Sequence, residues 1–540
     1  MAASEHKTHW GLGPISFDGA DTPLKTALFV IVCLAWLLPG LVGHDPWKTD
    51  EAVAFGTVAE MLRTGDWIRF AIAGEPVAGD APLFLWTAAL LAKLLGGLLP
   101  LHDAARLAAG LYMAATLGLV SATAWELMGV RAVRMSVLLL IGCLGLLIRA
   151  HEMTPELAGL AGLALGLYGL ALARRRSWLG AAVAGLGLGA GYLGNGLLGA
   201  GMMLTLLAML PASPAWRTRR YLGIAAVALA VAAPFALAWP AAWPTAGDFG
   251  QGANRGVPYF LKLLTWYAWP AWPLAAWTLW RTRRTLAART ELHLPIVAFA
   301  AFFVVVAVFG ESRDLSAMPV LLPLAILGVA ELESLPRGAA SALDWFGMMT
   351  FFLLAALLWI GWGAALTGAP DFAAAFLHKE VPGFAYRFSF LAFALAALLT
   401  LVWIVVVARS LRSTRRALVN WAAGITMVWM LMMTLGVPLV DQARSYRAVS
   451  ARLVAAVPPD SKCVARRNVG DAQRALLDYF AGLRTVAVDA PAGAGCGALL
   501  VQAAPLRIPE PGLAWSEIWR GSRPGDRHEL FILYKKMGSG

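Results

Sequence analysis

Residues 44–83 read HDPWKTDEAVAFGTVAEMLRTGDWIRFAIAGEPVAGDAPL, and the reading of the whole chain turns on them. The stretch follows a long apolar run and carries Asp45, Asp50, Glu51, Glu60, Asp66, Glu75 and Asp80. A single carboxylate at a membrane surface costs little and carries no information. The density of acids at one point needs a reason, because the chain is 59% apolar and only 14% charged.

That composition lies well below the roughly 25% charged residues of soluble domains, and a mean hydropathy of +0.67 agrees with a polytopic membrane protein. The 54 glycines and 23 tryptophans suit closely packed helices and an interfacial aromatic belt. A formal charge of +12 could point to nucleic acid, but the basic residues sit in short clusters between apolar runs. That is the positive-inside pattern, and nucleic-acid binding is set aside. No Walker sequence, usable GxGxxG or HExxH is present, which argues against ATP-driven transport. The apolar runs are nearly free of ionisable residues, whereas a secondary transporter places them near mid-membrane.

Spans of about 20 apolar residues, oriented by the arginine clusters, are expected near 24–43, 105–127, 134–150, 156–173, 178–193, 195–212, 221–239, 260–280, 295–310, 316–333, 345–366, 389–408 and 419–439. About thirteen spans place a cytoplasmic segment at 1–23 and a C-terminal domain at 441–540 on the opposite, periplasmic side. The run 82–99, with Lys93 inside it, reads as a membrane-associated helix continuing the 44–81 loop; an ordinary span there is the alternative. The polar linkers then gather on the outer side, making it the working face.

The tail is expected to be a small α/β domain, with strands at 461–468, 484–489, 496–502 and 528–535 and a helix at 471–483. Cys463 and Cys496 both fall in it, and a disulfide between them would indicate an oxidising compartment. Such a bond would add roughly 3–4 kcal/mol of stability. Cys33 and Cys143 lie in apolar runs and read as buried small hydrophobes.

Several outer-face groups have chemistry to offer. Asp50 and Glu51 could hold a divalent cation, accept a proton from a hydroxyl or anchor an arginine, or be ordinary solvated acids. Glu156 follows Pro155 and could open a helix as its N-terminal acid or act in catalysis. His151 could bind metal or be simply hydrogen-bonded. Arg313, in ESRDLSAMPVLLPL, suits a phosphate or a salt bridge to Glu311 or Asp314. Arg255 and Tyr259 lie in the 240–259 loop, placed to gate a lateral cavity.

Taken in order, Asp50-Glu51, Ala59-Glu60-Met61-Leu62-Arg63-Thr64-Gly65-Asp66-Trp67, Gly74-Glu75-Pro76 and Pro82-Leu83-Phe84-Leu85-Trp86 form a recognisable block. It resembles the first outer loop of the membrane glycosyltransferases of the aminoarabinose transferase and protein mannosyltransferase superfamily, the GT-C fold. Weaker matches are Arg106-Leu107, the Arg149–Glu156 segment, Gly256–Tyr259, and Arg313 followed by Pro319 and Leu322-Pro323. The resemblance implies an all-α polytopic membrane domain and a polyprenyl-phosphate sugar donor, most simply undecaprenyl phosphate. It implies inverting transfer to an envelope acceptor (lipid A, a glycan or a protein) at the periplasmic face of a bacterial inner membrane.

On this resemblance Asp50, with Glu51 and Glu156, supplies the catalytic acids, and Arg313, Arg63, Lys93 and Arg255 are the cations for the donor phosphate. Asp80, Trp67, Tyr259 and His151 are expected to line the substrate cavity. A divalent metal, if used, would fall to Asp50, Asp80 and His151; no other cofactor is expected, and the chain is expected to act as a monomer among membrane lipids. One departure stands out: Gly79-Asp80 occupies the place where the family has Glu-Lys before Pro-Pro, so a family cation is replaced by an acid. A lipid or glycan translocase and an inactive scaffold of the same fold are the other readings.

Overall fold

The computed structural model describes residues 23–77, 81–239, 254–410, 413–505, 507–508, 512 and 514–537. Asp80, the 1–22 segment and residues 240–253 of the gating loop therefore lie outside the described residues. Among those described, eight helices are long and apolar enough to cross a membrane. The difference from about thirteen expected spans has identifiable causes. Pro23–Leu37 and Leu315–Ala330 are apolar but short. The 134–150 region is divided into Val130–Ile141 and the single turn Leu146–Arg149, with the break at Gly142. The expected span 260–280 divides into Gly256–Tyr267 and Ala271–Thr282 around Pro270, because proline lacks the amide that a continuing helix needs.

The run Ser177–Met209 counts as one long helix but is two limbs. Asn195 (φ −147°, ψ 28°) and Gly196 (φ 54°, ψ −145°) are non-helical, and the second needs glycine. A Cβ on Gly199 would fall 2.3 Å from the Gly191 carbonyl oxygen. Residues eight apart in a straight helix are separated by about 12 Å, so the chain doubles back here. The first limb lies against Glu156–Ala173 with backbones in near contact, as small residues allow in a membrane, and the second reaches it through the Met203 side chain at Gly166.

Pro82–Leu95 forms a helix of about 21 Å, shorter than the roughly 30 Å hydrocarbon core. It packs against Leu101–Met128 and Asp50–Thr64. The first loop is itself folded: Asp50–Thr64 is a helix closed by Gly65 in the left-handed conformation. Next comes a hairpin of β1 (Ala71–Ile72) and β2 (Glu75–Pro76).

The C-terminal domain is a mixed five-stranded sheet of β3 (Val464–Arg467), β4 (Thr485–Ala487), β5 (Ala498–Ala503), β6 (Trp515–Gly521) and β7 (Leu530–Lys536), in the order β4-β3-β5-β7-β6. The β3/β4 and β3/β5 pairs are parallel, and β7 is antiparallel to both β5 and β6. Helices Arg447–Ala456 and Asp471–Ala481 complete it, and Cys463 is disulfide-bonded to Cys496.

This domain sits on the first loop. A Cβ on Gly56 would meet Ala475 Cβ at 2.3 Å, so only glycine lets helices Asp50–Thr64 and Asp471–Ala481 approach this closely. Phe55 packs edge-on against Tyr479 at 4.6 Å. Glu75 receives Arg466 at 2.6 Å and Arg474 at 3.0 Å, and Asp45 receives Arg447 Nε at 3.1 Å. Three of the seven acids that made residues 44–83 conspicuous, Asp45, Glu60 and Glu75, are used for this docking.

Candidate active site

Asp50 is the first residue of its helix, and its carboxylate points away from the C-terminal domain's arginines toward two others. Arg313 donates through Nη2 to Asp50 Oδ1. Arg149 Nη1 lies 3.8 Å from Asp50 Oδ2. Arg149 is aimed by a fork to Asp314, with Nε to Oδ2 at 2.9 Å and Nη2 to Oδ1 at 3.2 Å, and its Nη1 reaches Glu152 at 2.7 Å. The carboxylate and both guanidiniums keep access to solvent, with Asp50 28%, Arg149 27% and Arg313 42% exposed. The two cations therefore converge on a point that another anion can reach.

The electrostatics follow from this crowding. Burial pushes the Glu152 carboxyl up to about 7, with Arg149 pulling the other way and Glu51 and Asp50 pushing further up. Burial works against the charge on Arg313, but Asp50 more than compensates and keeps it firmly protonated, with Glu156 and Glu311 contributing. Glu156, at the start of Glu156–Ala173, is thus within electrostatic reach of Arg313. The Arg255 amide donates to Ser312 Oγ at 2.6 Å, and its guanidinium lies over the Tyr259 ring at 5.9 Å. Arg255 and Tyr259 are accordingly neighbours of the Arg313 loop.

Glu51, one residue after Asp50, is sealed. Its Oε1 accepts from Arg106 Nε at 2.6 Å and its Oε2 from the Trp47 amide at 2.9 Å. Arg106 is wholly buried and also reaches Asp103 at 2.7 Å and the His44 carbonyl at 3.2 Å. Burial raises the Glu51 pKa, but Arg106, His44 and the Trp47 amide together hold it below its ordinary value.

No family model matches the chain, and no curated protein matches it in sequence. Among solved structures it is similar to ArnT from Cupriavidus metallidurans bound to undecaprenyl phosphate, with a TM-score of 0.66 and 18% identity over 95% of this chain and 98% of that one. The fold is the GT-C fold of ArnT. The same ArnT in its apo state superposes with a TM-score of 0.64 and 18% identity, over 94% and 97% of the two chains. The oligosaccharyltransferase of Archaeoglobus fulgidus is a more distant likeness, with a TM-score of 0.47 and 10% identity over 88% and 64%.

Within this ArnT-like frame, three expectations are corrected. Glu51 is a structural acid, because Arg106 and the Trp47 amide take both its oxygens and only 2% of it is exposed. Arg63 is engaged by Glu60 and, at 2.8 Å, by Asp478 of the C-terminal domain, so it is a docking residue and not a phosphate ligand. His151 is buried, with both ring nitrogens 2.7 Å from carbonyl oxygens, those of Leu147 and Trp36, and it stacks on Trp429 at 4.4 Å. It neither lines an open cavity nor offers a lone pair to a metal. Among the described residues no three His, Cys, Asp or Glu side chains converge as a metal cage, and Asp80, the other acid named for a metal, lies outside them.

Two further residues lie apart from Asp50. Lys93 is exposed in the last turn of Pro82–Leu95, and no contact among the described residues joins it to Arg149 or Arg313. Trp67 accepts the Trp86 indole N–H on its carbonyl at 2.7 Å and packs into the core beneath the loop. Arg149, Glu152 and Asp314 are the site residues that sequence reasoning did not nominate. Their signal was present, since RAHE and SRD set arginine beside acid in two linkers of the same face.

Proposed function

We propose that this chain is an inverting glycosyltransferase that takes a sugar from a polyprenyl-phosphate donor, such as undecaprenyl phosphate, at the periplasmic face of a bacterial inner membrane. The observation that carries the reading is Asp50 set between Arg313 and Arg149 in a chain with the ArnT fold. In this reading the arginine pair receives the donor phosphate, for which planar guanidinium forks are well suited. Phosphate and Asp50 compete for the same cations, so donor binding releases the carboxylate. Asp50 then takes the proton from the acceptor hydroxyl as its oxygen attacks the anomeric carbon. The bond from that carbon to the phosphate oxygen breaks, and the charge left on the polyprenyl phosphate is met by Arg313 and Arg149. Glu156 adds a second acid near Arg313.

The ArnT match supports the lipid-phosphate class of donor, because that protein was crystallised with undecaprenyl phosphate. The acceptor class, whether lipid A, glycan or protein, is read out by mass spectrometry of envelope glycolipids and glycoproteins with and without the gene. The expected result is the loss of one glycosyl group, restored by the unaltered chain and not by Asp50→Asn. Removing a general base of this kind costs about 10²–10⁴ in rate. Full restoration by Asp50→Asn sinks the role given to Asp50, and an unchanged glycan profile sinks the transferase reading.

A further inference from the structure

The turn that presents Asp50 is held from two sides. On the membrane side, Arg106 and the Trp47 amide grip Glu51. On the other, Lys48 Nζ donates to Glu529 Oε1 of the C-terminal domain at 3.0 Å. Glu529 is only 4% exposed. Its Oε1 also accepts from Gln473 Nε2 at 2.6 Å and Gln502 Nε2 at 2.8 Å, while Oε2 accepts from the Tyr446 hydroxyl and lies 3.6 Å from Arg523 Nε. All these partners except Lys48 belong to the domain's own helices, strands and loops. The domain thus builds a rigid, satisfied carboxylate and offers one face of it to a lysine of the first loop.

The consequence lies in helix geometry. Successive residues of a helix are turned by about 100°, so a small rotation of the first turn carries Asp50 off its arginines. Lys48 lies two residues before Asp50 and Glu51 one after it, and their partners belong to different parts of the fold, the C-terminal domain and helix Leu101–Met128. The first turn is closed by the Ala52 amide on Trp47 O at 3.1 Å and the Val53 amide on Thr49 O at 3.2 Å. We propose that the Lys48–Glu529 pair is a positioning contact, through which the C-terminal domain sets the rotation at which Asp50 meets Arg149 and Arg313. This rests on the reading of Asp50 as the reacting carboxylate. Arg466–Glu75 is the natural control, since it ties the same domain to the β1/β2 hairpin far along the chain from Asp50.

The test uses the full chain in lipid nanodiscs with Lys48→Met, Lys48→Arg and Arg466→Met. Hydrogen exchange by mass spectrometry reads peptides covering the Ala52 and Val53 amides and, separately, β3, β5 and β7. Lys48→Met is expected to speed exchange in the first turn by about tenfold while the sheet stays protected, as local opening does. Lys48→Arg should restore protection, and Arg466→Met should leave the turn unchanged. In transfer from undecaprenyl-phosphate sugar to an envelope glycolipid extract, Lys48→Met should lower kcat about tenfold or more without raising donor KM, because small misplacements of a reacting group act on rate. Lys48→Arg should recover the rate.

Normal protection in Lys48→Met, or equal loss in Arg466→Met, overturns the positioning contact. Altered exchange with an unaltered kcat overturns its catalytic consequence. Failure of the unaltered chain to transfer any sugar refutes the glycosyltransferase reading, and the exchange data still decide whether Lys48 and Glu529 hold the turn.

Discussion

Asp50 and Glu51 are adjacent carboxylates, both facing arginine, yet the two places they occupy differ in kind. Glu51 lies in a closed site where Arg106, Asp103 and backbone groups take up nearly every hydrogen-bonding position. Asp50 lies in an open one, where two guanidiniums converge beside solvent and a second acid, Glu152, competes for Arg149. The same pairing of charges therefore serves two ends. A sealed pair resists exchange and fixes backbone, whereas an open pair can trade its carboxylate for another anion.

The contrast can be broken first at the sealed site. Arg106→Met leaves two buried carboxylates without their cation, and breaking such a pair costs about 3–5 kcal/mol. The expected outcome is a sharply lower melting temperature and poor recovery of folded protein, measured by thermal unfolding in detergent. At the open site the effect should fall on the substrate and not on the fold. Arg313→Met removes one charge-assisted contact to phosphate, worth about 1.5–3 kcal/mol, so donor KM should rise roughly 10–100-fold with little change in melting.

The smallest effect is the most diagnostic. Glu152 has a pKa of about 7 in the folded chain against an ordinary 4.5, so between those values the folded state binds more protons than the unfolded one. Its contribution to stability is fully present below about 4.5 and is lost as pH rises through about 7. Ionised Glu152 also holds Arg149 back from phosphate, so donor KM should rise a few-fold as pH increases through 7, on the order of 0.5–1 kcal/mol. Glu152→Gln should flatten both dependences. A pH slope that survives the substitution would remove Glu152 from the site.

Much of this was legible in the sequence. Helix Glu156–Ala173 falls where an apolar run bounded by Pro155 and Arg174-Arg175-Arg176 places it, and the reversal near 195 follows from Asn195-Gly196 between two glycine-rich limbs. Asp50 and Arg313 were both singled out, although 263 residues separate them. What could not be read was partnership. Nothing local to Glu60 or Glu75 says that each meets an arginine of the tail, and an acid beside a membrane looks the same whether it docks a domain or faces a substrate. Strand Trp515–Gly521 escaped for a different reason. It is an edge strand with a largely exposed face, so WSEIWRG carries little apolar periodicity.

The contact between Lys48 and Glu529 has one more consequence, which concerns time. The two residues lie 481 positions apart in the chain. At about 5–20 residues per second, roughly 25–100 s pass on the ribosome between making the lysine and making its partner. Throughout that interval the first loop is already outside the hydrocarbon, with Asp45, Glu60 and Glu75 still without their arginine partners in the C-terminal domain. It cannot take up its docked form until the last strands of the C-terminal domain exist, so a chain interrupted late in synthesis would keep its membrane helices and lack a finished working face.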